Sequence, residues 1–149
     1  MKIFKKVGAI AIAGLMATVA VAEETVVWWD FLGGGDGVRM KTLISEFNEA
    51  NSGEVAIDAT TLEWGVPFYT KVQTSVAVGQ APDVMTYHAS RIPLAVSQGV
   101  LDEITPADWK AMGFAEKDFA AQIWDGVTGP DGKIYGVPLD THPIVLYYN

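Results

Sequence analysis

Three short runs rich in β-branched and aromatic residues alternate with segments of helical periodicity, and this alternation limits what the chain can fold into. Thr25-Val26-Val27-Trp28-Trp29 is the first run and reads as a strand. Asp30-Phe31-Leu32 leads from it into a glycine-rich loop, Gly33 to Gly37, where Asp36 is placed to cap the next helix. In that helix Met40, Leu43, Ile44 and Phe47 fall at i, i+3, i+4 and i+7, one apolar stripe to face a sheet. Asn51-Ser52-Gly53 stops it, and Glu54 to Leu62 alternates as a second strand. Pro67 suits a first helical turn, Tyr69, Val72 and Val76 share a face, and Gly79 and Pro82 end that helix. Asp83 to His88 is the third strand, and Ser90 is placed to cap a helix that Gly99 terminates. Thr105-Pro106-Ala107-Asp108 has the pattern of a capping box, with short helices expected around Trp109–Met112 and Phe119–Trp124. Pro130-Asp131-Gly132 is a turn between short strands, and Ile144 to Tyr148 reads as a last strand. The order predicts an α/β fold, with a parallel or mixed sheet and helices on both faces.

The N-terminus has a different character. Lys2, Lys5 and Lys6 precede an uncharged apolar run from Val7 to Val21, which closes on Ala20-Val21-Ala22. Basic, apolar, then small-x-small is the order of a secretory signal, here residues 1–22. The run is short for a membrane span of roughly 20 residues. It contains no cysteine to carry a lipid. The expected location is therefore the periplasm. Removing 22 of 149 residues leaves 127, enough for one domain with a real core.

All 18 acidic residues lie after residue 22, and three of the 10 basic residues lie before it. The remainder carries seven basic residues and a formal charge of −11, which repels nucleic acid and anionic lipid. The chain has no cysteine, so thiol catalysis, cysteine-ligated metal and disulfides are excluded.

In such a fold ligands bind at the carboxyl ends of the strands. Those ends carry Trp28, Trp29, Asp30 and Phe31; Glu63 and Trp64; and Tyr87, His88, Ser90 and Arg91. The hairpin ends in Asp140, Thr141 and His142. Aromatic plates beside carboxylate, hydroxyl, imidazole and guanidinium groups suit a neutral polyol. Its C–H faces stack on rings and its hydroxyls need fixed donors and acceptors. Trp28 and Trp29 alternate faces, so one is core and the other is a candidate for the cleft. Tyr87 and His88 also point oppositely, and Tyr87 is the favoured cleft residue. Arg91 has two readings, ligand binding or pairing with a carboxylate. Asp83 follows Pro82 in a turn and has a structural role. Asp140 and His142 share a parity and so a side.

Other chemistries fit less well. A glycosidase needs two carboxylates flanking one bond, and Asp30, Glu63 and Asp140 have no spacing that requires it. His88 and His142 lack metal-ligand spacing. The glycine loop matches neither Gly-x-Gly-x-x-Gly nor a P-loop. No enzyme activity and no cofactor are expected.

Four segments resemble the family 1 extracellular solute-binding proteins, of the sugar or maltodextrin type found in ABC transporters. They are Gly79-Gln80-Ala81-Pro82-Asp83-Val84, Gln98 to Ile104, Gly132 to Leu139 and Leu146-Tyr147-Tyr148-Asn149, in the family's order. The resemblance implies a type II periplasmic-binding-protein-like lobe, one half of a clamshell that closes on a neutral sugar or oligosaccharide. It also implies delivery to permease subunits at the inner membrane, with the full-length protein a monomer. By the same resemblance Trp29, Tyr87, Ser90 and Arg91, and His142 occupy ligand positions of maltodextrin binders. Ser90 replaces an aspartate there and His142 a glutamate, which argues against maltose itself but not against a sugar. With the strand-end chemistry, the candidate ligand residues are Trp29, Asp30, Phe31, Trp64, Tyr87, Ser90, Arg91, Asp140 and His142. The Tyr-Tyr-Asn segment implies a hinge, so residues 23–149 are expected to be an N-terminal lobe truncated near that hinge, with the second lobe absent. The alternatives are an importer component for a non-sugar solute, such as a polyamine or glycerophosphate, or a remnant without function.

Mass spectrometry of the exported protein is expected to give a mature chain beginning at Glu23. A chain that retains Met1 refutes the signal assignment.

Overall fold

The computed structural model describes residues 22–142, Leu146 and Tyr148. The signal segment therefore lies outside the described residues except for Ala22. So does the strand expected at Ile144 to Tyr148, apart from Leu146 and Tyr148, which are exposed.

Strand β1 (Glu24–Asp30) is the centre of a three-stranded parallel sheet of order β2-β1-β3. Strand β2 (Val55–Thr61) pairs with it along its whole length, from Glu24 opposite Val55 to Asp30 opposite Thr61. Strand β3 (Val84–Met85) pairs only through Trp28 opposite Val84 and Trp29 opposite Met85. The third strand is thus two residues long, where Asp83 to His88 was expected. Asp83 replaces part of the ladder. Its Oδ2 accepts from Val27 N at 2.8 Å while its own N–H donates to Val27 O at 3.0 Å.

Helix α1 (Gly34–Ala50) connects β1 to β2, and helix α2 (Val66–Ala77) connects β2 to β3. The first crossover moves outward from β1 and the second returns across it. Parallel crossovers are right-handed, so reversing direction puts α1 and α2 on opposite faces. The order of the strands reverses between β1 and β3, the position at whose carboxyl end folds of this kind place their ligands.

The glycine-rich segment is helical, not a loop. Helix α1 begins at Gly34 with Gly33 as N-cap, so Asp36 sits in the first turn and does not cap. There it favours the helix dipole and pairs with Arg39 at 3.3 Å, a contact too exposed to add much stability. Gly37 is buried, and a Cβ at this position would come within 2.3 Å of Leu32 O. Only glycine lets the helix pass this close to the end of β1. Of the expected α1 stripe, Met40 and Ile44 are half-buried, but Leu43 is 58% and Phe47 40% exposed. The helix lies against β2, the edge of a narrow sheet, and the outer half of its stripe has nothing to cover it. Asn48 holds this edge, donating to Ile57 O at 3.0 Å and accepting from Ile57 N at 2.8 Å. Pairing both backbone groups blunts an open strand edge.

Helix α2 carries the core. Phe68 and Val72 have no exposed surface, and Tyr69 is nearly as buried. Trp29, Phe31, Leu62, Val76, Met85, Tyr87 and Val100 pack around them. The helix follows Gly65, whose φ of 92° is open only to glycine, with Pro67 in the first turn.

After β3 a 3-10 turn (Ala89–Arg91) runs into α3 (Ile92–Ser97). Ser90 therefore lies inside a turn and caps nothing. The N-cap of α3 is Arg91, without a side-chain hydrogen bond. Helix α4 (Pro106–Met112) has the expected capping box, Thr105 Oγ1 accepting from Asp108 N at 3.3 Å and Asp108 Oδ2 from Thr105 N at 2.8 Å. Helix α5 (Ala121–Val127) follows, and Trp109, Phe119 and Trp124 stack between the two. The Pro130 turn closes a single antiparallel bridge, Thr128 to Ile134, in place of a hairpin of strands. No helix among the described residues is long and apolar enough to cross a membrane.

Phe68→Ala is expected to destabilise the chain by about 3–5 kcal/mol, read by urea unfolding, because its site is fully enclosed. Thr105→Ala is expected to cost about 1 kcal/mol. The Thr105 hydrogen bonds lower the Asp108 pKa from its ordinary 3.8. Their contribution is full above that value and is lost as pH falls through the lower folded-state value. The gap between variant and parent should therefore narrow in acid without closing, because Thr105 Oγ1 still accepts from Asp108 N there, and a gap that does not change with pH contradicts the contribution of the Asp108 carboxylate.

Candidate functional site

The carboxyl ends of the three strands converge on one aromatic cluster. Phe31, immediately after β1, stacks on the His88 imidazole with centroids 4.8 Å apart and planes within 5°. Phe31 also meets Phe68 edge-on at 4.8 Å. Trp64, in the loop after β2, presents its edge to His88 at 6.2 Å. Tyr69 of α2 packs edge-on to Tyr87 at 5.1 Å, and its hydroxyl hydrogen-bonds His88 Nδ1. The Arg91 guanidinium lies 4.7 Å above the Tyr69 ring. Geometries of this kind are favourable for aromatic pairs and for a cation over a ring.

The candidate residues fall into three groups. Trp64 and Arg91 are exposed parts of the cluster, Trp64 at 66%. Ser90 is exposed in the same turn as Arg91. Trp29, Phe31 and Tyr87 are half-buried against the Phe68 core, and Lys71 Nζ lies 5.1 Å from the Trp29 ring. Asp30 is only 3% exposed, and its Oδ1 accepts from Leu32 N at 2.9 Å, so this carboxylate turns the chain out of the sheet. Asp140 and His142 form an exposed pair at 2.9 Å. Among the described residues no ring contact, hydrogen bond or ion pair joins that pair to Trp64, His88 or Arg91.

Trp28 and Trp29 do not divide simply into core and cleft. Both are half-buried, Trp29 against α2 and Trp28 with its indole nitrogen enclosed. Two residues at the centre of the cluster, Tyr69 and His88, were not among the candidates. Tyr69 read as core by its helical spacing, which is true of its ring but not of its hydroxyl. Strand parity favours Tyr87 over His88 for the cleft. Because β3 ends at Met85, parity no longer governs positions 87 and 88.

Two cations lie against the rings, Arg91 over Tyr69 and Lys71 over Trp29. Burial raises the Tyr69 phenol above its ordinary value, and Arg91 partly opposes this. The Tyr87 phenol is raised too, first by burial and then by Tyr69, again with Arg91 opposing. Both hydroxyls therefore keep their protons at neutral pH. The described residues bring together no three His, Asp or Glu side chains that would hold a metal. Two shallow depressions elsewhere, one at Ala115–Phe119 and one beside Gln73 and Gln98, include none of the candidate residues. The aromatic cluster is a platform and not an enclosed cavity.

A sequence profile of bacterial extracellular solute-binding proteins matches residues 42–149. The maltodextrin-binding protein MdxE of Bacillus subtilis (strain 168) is 38% identical over 71 residues, 48% of this chain and 15% of that protein. Among solved structures, the chain superposes on the galacto-N-biose-/lacto-N-biose I-binding protein of an ABC transporter from Bifidobacterium longum, in complex with lacto-N-biose. The TM-score is 0.67 at 22% identity, over 83% of this chain and 30% of that one. An ABC substrate-binding protein from Listeria monocytogenes, in complex with cycloalternan, gives 0.64 at 25% identity, over 76% and 28%. The α/β sheet is that of a type II periplasmic-binding-protein lobe, and the chain spans under a third of the length of these two structures.

Proposed function

This chain belongs to the family of bacterial extracellular solute-binding proteins, and from that premise we propose that it supplies a docking face for a neutral sugar or oligosaccharide in an ABC importer. The observation that carries the reading is Trp64, a large aromatic left 66% exposed at the carboxyl end of the sheet beside a stacked Phe31–His88 pair. An exposed aromatic plate has little packing value by itself. A sugar ring offers it an apolar C–H face. The relatives named for maltodextrin, lacto-N-biose and cycloalternan support the same ligand class.

In this reading the sugar stacks on Trp64 while Arg91 and Ser90, on the adjoining turn, bond its hydroxyls. Trp29, Phe31 and Tyr87 support the platform from beneath, and Asp30 holds the turn that carries Phe31. Asp140 and His142 contribute polar groups at the rim. A second wall then closes over the ligand, since an open platform covers only one side of it. The closed form delivers the sugar to permease subunits, and the role is binding without covalent chemistry. Export to the periplasm, directed by residues 1–22, belongs to the same proposal. A polyamine fits the platform less well, because the cation Arg91 stands on it and Asp30 is turned into the chain.

Calorimetric titration with maltotriose, lacto-N-biose and cycloalternan, alongside spermidine and glycerophosphate, tests the proposal. Saccharide binding is expected, and Trp64→Ala is expected to weaken it by about 1–3 kcal/mol. Spermidine or glycerophosphate binding in place of sugar refutes the ligand class. Saccharide affinity unchanged by both Trp64→Ala and Tyr87→Ala refutes the chosen face.

A further inference from the structure

His88 is the imidazole held inside the aromatic cluster, and its two nitrogens are in different situations. Nδ1 is taken by the Tyr69 hydroxyl. Nε2 has no hydrogen-bond partner among the described residues, yet it is not among their enclosed, unpaired polar atoms, so it remains open to solvent. Phe31 lies parallel to the ring at 4.8 Å and Trp64 is nearly perpendicular to it at 6.2 Å, so the plane of the imidazole is set.

The direction of the Tyr69 hydrogen bond decides which nitrogen carries the proton. The Tyr69 ring is buried while its hydroxyl reaches out of the core to His88. Nδ1 is the one acceptor it meets among the described residues. The phenol, pushed up by burial, keeps its proton to donate. With Tyr69 O–H as the donor to Nδ1, the imidazole carries a proton on Nε2.

We propose that His88, held by Phe31 and Tyr69, presents Nε2–H as a fixed hydrogen-bond donor to an acceptor oxygen of the ligand resting on Trp64, and so helps set specificity. The inference rests on the sugar reading and sharpens it. Arg91 is also a donor without acceptor capacity. The platform therefore offers two donors beside an aromatic plate and favours a ligand with acceptor oxygens next to an apolar face. An ammonium group, which has no lone pair to offer, is rejected.

Two measurements test this. The chain has two histidines, so ¹⁵N NMR of the histidine-labelled protein, with His142→Gln for assignment, reads the His88 tautomer directly. Protonated Nε2 with bare Nδ1 is expected, and the Nδ1–H tautomer overturns the proposal without any variant of His88. In saccharide titrations, His88→Phe keeps a ring on Phe31 but removes the donor, and affinity is expected to fall on the order of tenfold. His88→Gln, which keeps an N–H near the same place, is expected to recover part of that loss. Saccharide binding that Trp64→Ala weakens but His88→Phe leaves intact overturns the role of His88 and spares the sugar reading. Failure of the unaltered protein to bind any saccharide overturns both.

Discussion

Phe68 has no exposed surface, and the cluster it forms with Tyr69 and Val72 packs against Phe31 just after β1, Leu62 just after β2 and Met85 in β3. Burying an aromatic of this size draws together elements that the backbone alone ties loosely, since β3 contributes only two paired residues. The same packing builds the candidate site. Tyr69 lies in the core by its ring, reaches His88 with its hydroxyl, and carries Arg91 on its face. The platform is thus the outer surface of the core, and loss of the core would dissolve the site with it.

The path of the chain uses up acidic groups on this strongly acidic molecule. Asp83 stands in for a ladder acceptor at Val27, and Asp30 holds the turn out of β1. Asp108 closes a capping box, and Asp131 accepts from the Tyr135 hydroxyl at 2.8 Å. A net charge taken from composition therefore says little about the polarity of one site, because several of the carboxylates, Asp30 and Asp83 among them, are turned toward backbone.

Much of the fold was legible in the amino-acid sequence. The alternation of strand-like runs with helical stripes specified the α/β class. Pro67 and the Thr105–Asp108 box marked helix starts, Gly79 and Gly99 marked stops, and the Tyr69-Val72-Val76 spacing identified the face that became the core. These signals are local, carried by residues within a turn or two of one another. The family resemblance was legible in the same way, as four short segments in order. The site was legible only as a set of strand ends. That set included Trp64 and Arg91, but it undervalued His88 and passed over the Tyr69 hydroxyl.

Local pattern and composition determined which segments are strands or helices, where they stop, and which ends carry aromatic and polar groups. Tertiary structure alone decided three further things. It made the Gly33–Gly37 segment helical, because Gly37 can pass against Leu32 O. It left Leu43 and Phe47 uncovered, because α1 lies on an edge strand. And it brought Phe31, Trp64, Tyr69, His88 and Arg91 together from four segments, because the chain reverses direction across β1 and Phe68 pulls the strand ends onto one helix. Contacts of that range depend on where elements pack, and no spacing within a single segment encodes them.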